Sequence, residues 1–246
     1  MGLLHRARAA ITGRLPIKTA TSRLDAPLAS VSFDDFPRSA WTAGRPLLDK
    51  HGARASYYAA GRFCGITEDG VEYFHKGDLE EIEAAGHEVG CHGFGHIHGP
   101  ETSSEGLTED FDRNAGFLEQ QLGSFRASSY AYPYGDVSPR TKVLAARRYA
   151  VSRGIYSGVN AGRIDLAELL AVPIEARRWR PEKIDAAVEE AKARRGWVIF
   201  FTHDVSEDPT PFGCTPEMLD YVLGRLAGIE VLPIKHAMAR AVFGHA

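Results

Sequence analysis

Residues 29–59, ASVSFDDFPRSAWTAGRPLLDKHGARASYYA, decide the fold. Two β-rich runs, 29–33 and 53–59, enclose a helical stretch over 41–50 that closes on Gly52, a residue suited to the left-handed turn after a helix. Strand, helix and strand so closely joined predict a βα unit feeding a parallel neighbour. The rhythm continues outward, with further strands predicted at 87–91, 128–132, 150–152, 197–202 and 229–233. A helix over 78–85 closes on Gly86, and Leu107, Phe111, Leu118 and Leu122 line one face of another. Pro181 stands at a first helical turn ahead of Ile184, Val188 and Ala191, and Thr215 with Pro216 reads as an N-cap and first turn before Met218, Leu219 and Val222. No repeat, low-complexity tract or linker breaks the pattern. The expectation is one α/β domain over 28–246 behind an N-terminal extension over 1–27, and a length of 246 residues suits a single α/β barrel.

Composition narrows the partners. With 44% hydrophobic and 25% charged residues the chain has the proportions of a soluble protein with a full-sized core. A net charge of −3 argues against nucleic acid or an acidic polymer as the main partner and fits a neutral substrate. Cys64, Cys91 and Cys214 are scattered, which indicates neither a disulfide framework nor a thiolate metal site and points to a reducing compartment. Arg6, Arg8 and Arg14 interrupt the place where a signal-peptide core would lie, so a cytoplasmic location is expected. Leu3, Leu4, Ala7 and Ile11 fall at helical spacing among basic residues, which would suit a helix at the inner membrane surface, although a solvated or loosely docked helix has the same pattern.

Four strand ends carry chemistry. VSFDDF ends in Asp34 and Asp35; neighbours on a strand point apart, so both can serve one site only where the backbone turns. An Asp pair alone is more often a turn or helix cap. GHEVGCHGFGHIHG runs from a strand into His92 and His96, whose four-residue spacing would place two imidazoles on one face of a helical turn, with Gly93 and Gly95 favouring a loop instead. His98 reads as a rim residue and His87, on the strand, as structural. Two histidines and one carboxylate leave a metal position open, the arrangement of a catalytic rather than a structural ion; zinc suits these ligands, with cobalt, nickel, manganese and iron as alternatives. SSYAYPYGD holds a tight turn at Pro133–Gly135 that can aim a main-chain N–H, and WVIFFTHD delivers His203 at the end of a buried-type strand.

Taken in order, these segments resemble the motifs of the polysaccharide deacetylase family, the NodB-homology or family-four carbohydrate esterases. Ser32-Phe33-Asp34-Asp35-Phe36 is similar to its T-F-D-D-G, His92-Gly93-Phe94-Gly95-His96 to its H-[ST]-x-x-H, Pro133-Tyr134-Gly135 to its P-[YF]-G, and His203 to its final histidine. The resemblance implies a distorted (β/α)7 barrel with Asp35, His92 and His96 holding one divalent metal ion. It also implies Asp34 as base, the Tyr134 N–H as oxyanion donor and His203 as acid. Water activated at the metal and deprotonated by Asp34 would attack an acetyl carbonyl, and His203 would protonate the departing sugar nitrogen.

The substrate so implied is an acetylated carbohydrate, specifically the N-acetyl groups of an N-acetylglucosamine-containing polysaccharide or its biosynthetic precursor, as in exopolysaccharide modification. O-acetyl esterase activity, or glycan binding without catalysis, are the alternatives. The pattern departs from the family at Ala131, where the arginine that orients the base usually stands; Arg153 is the candidate replacement, with Arg126 and Arg163 behind it. The segment 158–173 lacks the family's Asp-Trp pair and holds only Asp165 as a candidate supporting residue. Oligomeric state is not legible.

Overall fold

The structure is a computed structural model that describes residues 15–244, so the basic helix expected around Leu3, Leu4, Ala7 and Ile11 lies outside the described residues. Among the described residues no helix is long and apolar enough to cross a membrane. Seven parallel strands form the wall: β1 (Leu28–Phe33), β2 (Ser56–Ala59), β3 (Glu88–Cys91), β4 (Ser129–Ala131), β5 (Val151–Arg153), β6 (Val172–Pro173) and β7 (Trp197–Thr202). They lie in the order β6-β7-β1-β2-β3-β4-β5, and each neighbouring pair is parallel. One segment touches both edges of this curled sheet: Leu169 forms a parallel bridge with Arg153 of β5, and Val172–Pro173 pairs with Phe200 and Phe201 of β7. The architecture is the distorted (β/α)7 barrel that the motifs imply.

Ser39–Thr42 and Gly44–Lys50 follow β1, Lys76–Ala84 follows β2, Ser104–Leu122 follows β3 and Pro139–Arg148 follows β4. Pro181–Arg194 follows β6, and Pro216–Arg225 and Ile234–Phe243 come after β7. The single helix expected over 41–50 is therefore two short ones, because Pro46 has no N–H to offer the Thr42 carbonyl four residues back. The strand expected over 229–233 shrinks to Glu230–Val231, which pairs with Leu28 and Ala29 outside the main path. The strand that completes the seven is Val172–Pro173, two residues long and too short to show any alternation.

Side-chain alternation along β1 determines what faces the barrel interior. Ala29, Val31 and Phe33 pack outward with helix residues such as Leu48, Leu219 and Val222, whereas Leu28 packs with Val151, Leu169, Trp197, Ile199 and Phe201. The inward row therefore runs Leu28, Ser30, Ser32 and then Asp34. Ser30 donates to the Leu232 carbonyl at 2.7 Å and accepts from Trp197 Nε1 at 3.0 Å, so its inward hydroxyl is satisfied. Lower in the barrel Glu88 accepts from Ser56 Oγ and Ser129 Oγ, both at 2.6 Å, and from the Lys235 N–H at 2.9 Å, tying β2, β3 and β4 to the last helix. The described residues ahead of β1 are docked: Thr19–Thr21 pairs antiparallel with Arg163–Asp165.

His87 sits outside the wall with Nδ1 accepting the Ala55 N–H at 3.1 Å. Its Nε2 is buried without a hydrogen-bond partner, and its ring meets Trp41 edge-on at 5.4 Å. Burial, helped by the nearby Arg54 charge, lowers its pKa from 6.5 to about 4. Between those values the unfolded chain takes up a proton that the folded chain refuses. Stability should therefore be full above pH 6.5, fall as pH drops towards about 4, and level off below it, a total on the order of 3 kcal/mol. Urea midpoints across this range should slope in the native chain and flatten in His87→Gln; equal slopes would remove His87 as the cause.

Candidate active site

The carboxyl ends of β1, β3, β4 and β7 converge on one mouth of the barrel, as sites in parallel α/β folds do. After β1 the Asp34 N–H still bonds the Thr202 carbonyl at 2.9 Å. The chain then turns sharply, with φ of 60° at Asp35 and 57° at Phe36. Two successive non-glycine residues in the left-handed region are costly, about 1–2 kcal/mol each, so packing must impose them. Their effect is to bring both carboxylates to one side. After β3 the chain does not enter the helical turn that the His92–His96 spacing suggested. It forms a loop with φ of 71° at Gly93 and 49° at His96.

Asp35, His92 and His96 present ligand atoms that all lie within 4.8 Å of one another. Asp35 Oδ1 is 3.2 Å from His92 Nε2 and 3.0 Å from His96 Nε2. His92 Nδ1 donates to the Ala131 carbonyl at 2.8 Å, so the neutral ring directs the lone pair of Nε2 at Asp35. Asp35 Oδ1 is buried with no hydrogen-bond partner. Three electron-pair donors so close together require a cation between them, a proton or a metal ion, and the oxygen and nitrogen donors are those of zinc and its first-row neighbours. Burial alone would raise the Asp35 carboxyl, but the imidazoles of His92 and His96 beside it outweigh that and hold the group well below the usual carboxylate range. Burial opposes charge on both imidazoles; Asp35 overcomes that at His92, which is raised, but not at His96, which is lowered.

Asp34 is buried on the inward row, 4% exposed. Arg153, fully buried on the inward row of β5, reaches across the barrel and places Nη2 against Asp34 Oδ1. Its Nη1 donates to the Gly154 carbonyl at 3.0 Å, and its guanidinium lies over Phe201 at 4.7 Å. A guanidinium thus faces Asp34 from β5, while Ala131 occupies the corresponding place on β4. His203 Nε2 lies 3.9 Å from Asp35 Oδ2. Its Nδ1 is directed at the Phe212 carbonyl, 3.2 Å away. That carbonyl, rather than a carboxylate, orients the ring, and as a backbone group it leaves no trace in side-chain patterns.

Tyr134 has φ 59° and ψ 2° within the turn Pro133–Gly135. Its exposed ring is stacked on His98 at 3.8 Å and tilted against His96 at 4.3 Å. His98 is anchored in turn by Asp136, with Nδ1 2.6 Å from Oδ2. His98 therefore lies at the rim, apart from the ligand cluster. Asp165 does not join the site: Lys142 Nζ holds its carboxylate at 2.7 Å, and the Lys18 N–H donates to it at 2.9 Å. Lys142 is only 1% exposed in its side chain, and a buried ammonium must have a counter-ion, which Asp165 provides together with Glu168, 2.8 Å from the same ammonium.

The sequence model of the family described as polysaccharide deacetylase matches residues 21–152, more than half of the chain. The chain belongs to the polysaccharide deacetylase family. The matched span contains Asp34, Asp35, His92, His96 and Tyr134 and ends one residue before Arg153. No curated protein matches the chain. Among solved structures, this chain is similar to a family 4 acetyl xylan esterase from Clostridium thermocellum in complex with a cobalt ion, at 21% identity and TM-score 0.59, over 86% of this chain and 90% of that one. It is also similar to a family 4 carbohydrate esterase from Streptomyces lividans in complex with acetate, at 16% identity and TM-score 0.58, over 85% of this chain and 92% of that one. A family 4 pseudoenzyme from Bacillus anthracis aligns with TM-score 0.61 at 16% identity, over 91% of this chain and 69% of that one. The fold of this family thus occurs with and without catalysis, and function has to be argued from the site.

Proposed function

We propose that this member of the polysaccharide deacetylase family is a metal-dependent hydrolase that removes N-acetyl groups from an N-acetylglucosamine-containing polysaccharide or its biosynthetic precursor. The observation that carries the reading is that an Asp-His-His cluster and two further titratable groups, Asp34 and His203, share one mouth of the barrel. A glycan-binding barrel would need neither of the latter.

Asp35, His92 and His96 would hold the ion, with zinc the first choice. Such an ion supplies positive charge that polarises an acyl carbonyl and acidifies water. Asp34, held by Arg153, accepts a proton from the attacking water. The Tyr134 N–H donates to the oxygen that gains charge as the carbonyl carbon becomes tetrahedral. His203, with Nδ1 directed at the Phe212 carbonyl, delivers a proton from Nε2 to the departing sugar nitrogen. The amide C–N bond breaks, leaving acetate and a free amino sugar.

Acetate release from chitin oligomers and from acetylated xylan tests this directly. Zinc-loaded protein should release acetate from the chitin oligomers and metal-stripped protein should not. Release from xylan alone would reassign the activity to ester cleavage. Silence on both substrates, with glycan binding retained, would make the barrel a binding protein.

A further inference from the structure

The loop that carries both histidines has almost no regular structure of its own, yet it is held from behind by one helix. In Ser104–Leu122, residues 110, 113, 114 and 117 lie three or four apart and so share a face. Asp110 presents both oxygens to the loop: Oδ2 accepts the Phe94 N–H at 2.9 Å and Oδ1 accepts the Gly95 N–H at 2.7 Å. One turn further on, Asn114 is fully buried. Its Oδ1 accepts the Gly61 N–H at 3.0 Å, and its Nδ2 donates to the Ala59 carbonyl at 3.1 Å and to Cys91 Sγ at 3.0 Å. Arg113 lies over the Phe94 ring at 3.8 Å, and Phe117 meets the same ring edge-on at 6.2 Å. The ends of β2 and β3 and the loop between His92 and His96 are thereby fastened to one rigid element.

Gly93 shows how closely the fit is made. Its φ is +71°, and a Cβ there would stand 2.4 Å from Asp110 Oδ2. A Ser or Thr, as in the motif it resembles, would there be strained at the backbone and would have to push aside the carboxylate of Asp110, which occupies that space. We propose that Asp110 and Asn114 form a bracket that sets the separation and aim of His92 and His96, so that metal affinity in this chain depends on two residues that touch no ligand atom. This rests on the reading of Asp35, His92 and His96 as a metal centre. It does not depend on which acyl group is removed.

Asp110→Ala removes both acceptors and Asp110→Asn leaves one. Zinc affinity, measured by competition with a chromophoric chelator, should fall about 10–100-fold in the alanine variant and less in the asparagine variant. The visible absorption of the cobalt-loaded protein, which reports ligand geometry, should shift in both variants. Gly93→Ala should reproduce the loss of affinity through displacement of Asp110. Melting of the metal-free proteins gives a separate readout, and a variant that melts with the native protein but binds zinc less tightly shows positioning rather than collapse. Unchanged zinc affinity together with an unchanged cobalt spectrum in Asp110→Ala would overturn the bracket even if the native enzyme releases acetate. Weakened zinc binding in that variant, with no acetate from any glycan in the native protein, would uphold the bracket and remove the deacetylase reading. A native protein that binds no divalent ion would overturn both.

Discussion

Arg153→Met is expected to cost about 3–5 kcal/mol of folding stability, the largest loss of any single change at the site. The guanidinium and the Asp34 carboxylate meet inside the barrel, with Arg153 fully buried and Asp34 4% exposed. Removing the cation leaves a buried carboxylate without its partner, and no other cation stands within ion-pair distance of Asp34 among the described residues. Methionine roughly preserves the volume, so the loss reports charge rather than a cavity. Arg153→Lys should rescue only part of it. Lysine would have to serve both Asp34 and the Gly154 carbonyl from a single nitrogen on a flexible stem, whereas the fork of Arg153 meets them with two, the Gly154 carbonyl at 3.0 Å. Urea unfolding of the three proteins measures the effect, and a loss below about 1 kcal/mol in the methionine variant would show that water reaches Asp34 and takes over from the arginine.

Arg153 also shows how far a sequence can be read. Its candidacy follows from Ala131, which leaves the base without its usual partner, and from its place directly after a predicted strand. That it reaches Asp34 depends on the inward row of β5 facing the inward row of β1, a matter of strand order around the barrel that no local pattern contains. The grouping of Asp35, His92 and His96 is legible for a simpler reason: two predicted strands run into Asp34-Asp35 and into His92, and such strand ends share one mouth in a parallel sheet. Asp110 was not legible. It lies on an amphipathic helix among other acids, and its role comes from backbone N–H groups that point at it. The Phe212 carbonyl is invisible for the same reason. Position in the chain makes Asp165 a candidate supporting residue, but the buried ammonium of Lys142 takes its carboxylate, a long-range pairing that no local pattern contains.

Asp34→Asn is expected to lower turnover by about 10²–10⁴-fold, the range associated with loss of a general base, while leaving zinc affinity unchanged. The separation is possible because the ligand atoms belong to Asp35, His92 and His96 and none belongs to Asp34. Asparagine keeps an oxygen to face Arg153 Nη2, so its cost in stability should be smaller than that of Arg153→Met even though its cost in rate is larger. Acetate release and a zinc titration on the same preparation supply both numbers, and undiminished turnover would take Asp34 out of the reaction. Combining the two changes sharpens the argument. If Arg153 acts on catalysis only by holding Asp34, then Arg153→Met should lower turnover in the native background and have no further effect once residue 34 is asparagine. A second, independent loss in the double variant would mean that Arg153 touches the reaction by another route, through the Gly154 carbonyl or the Phe201 ring that it also contacts.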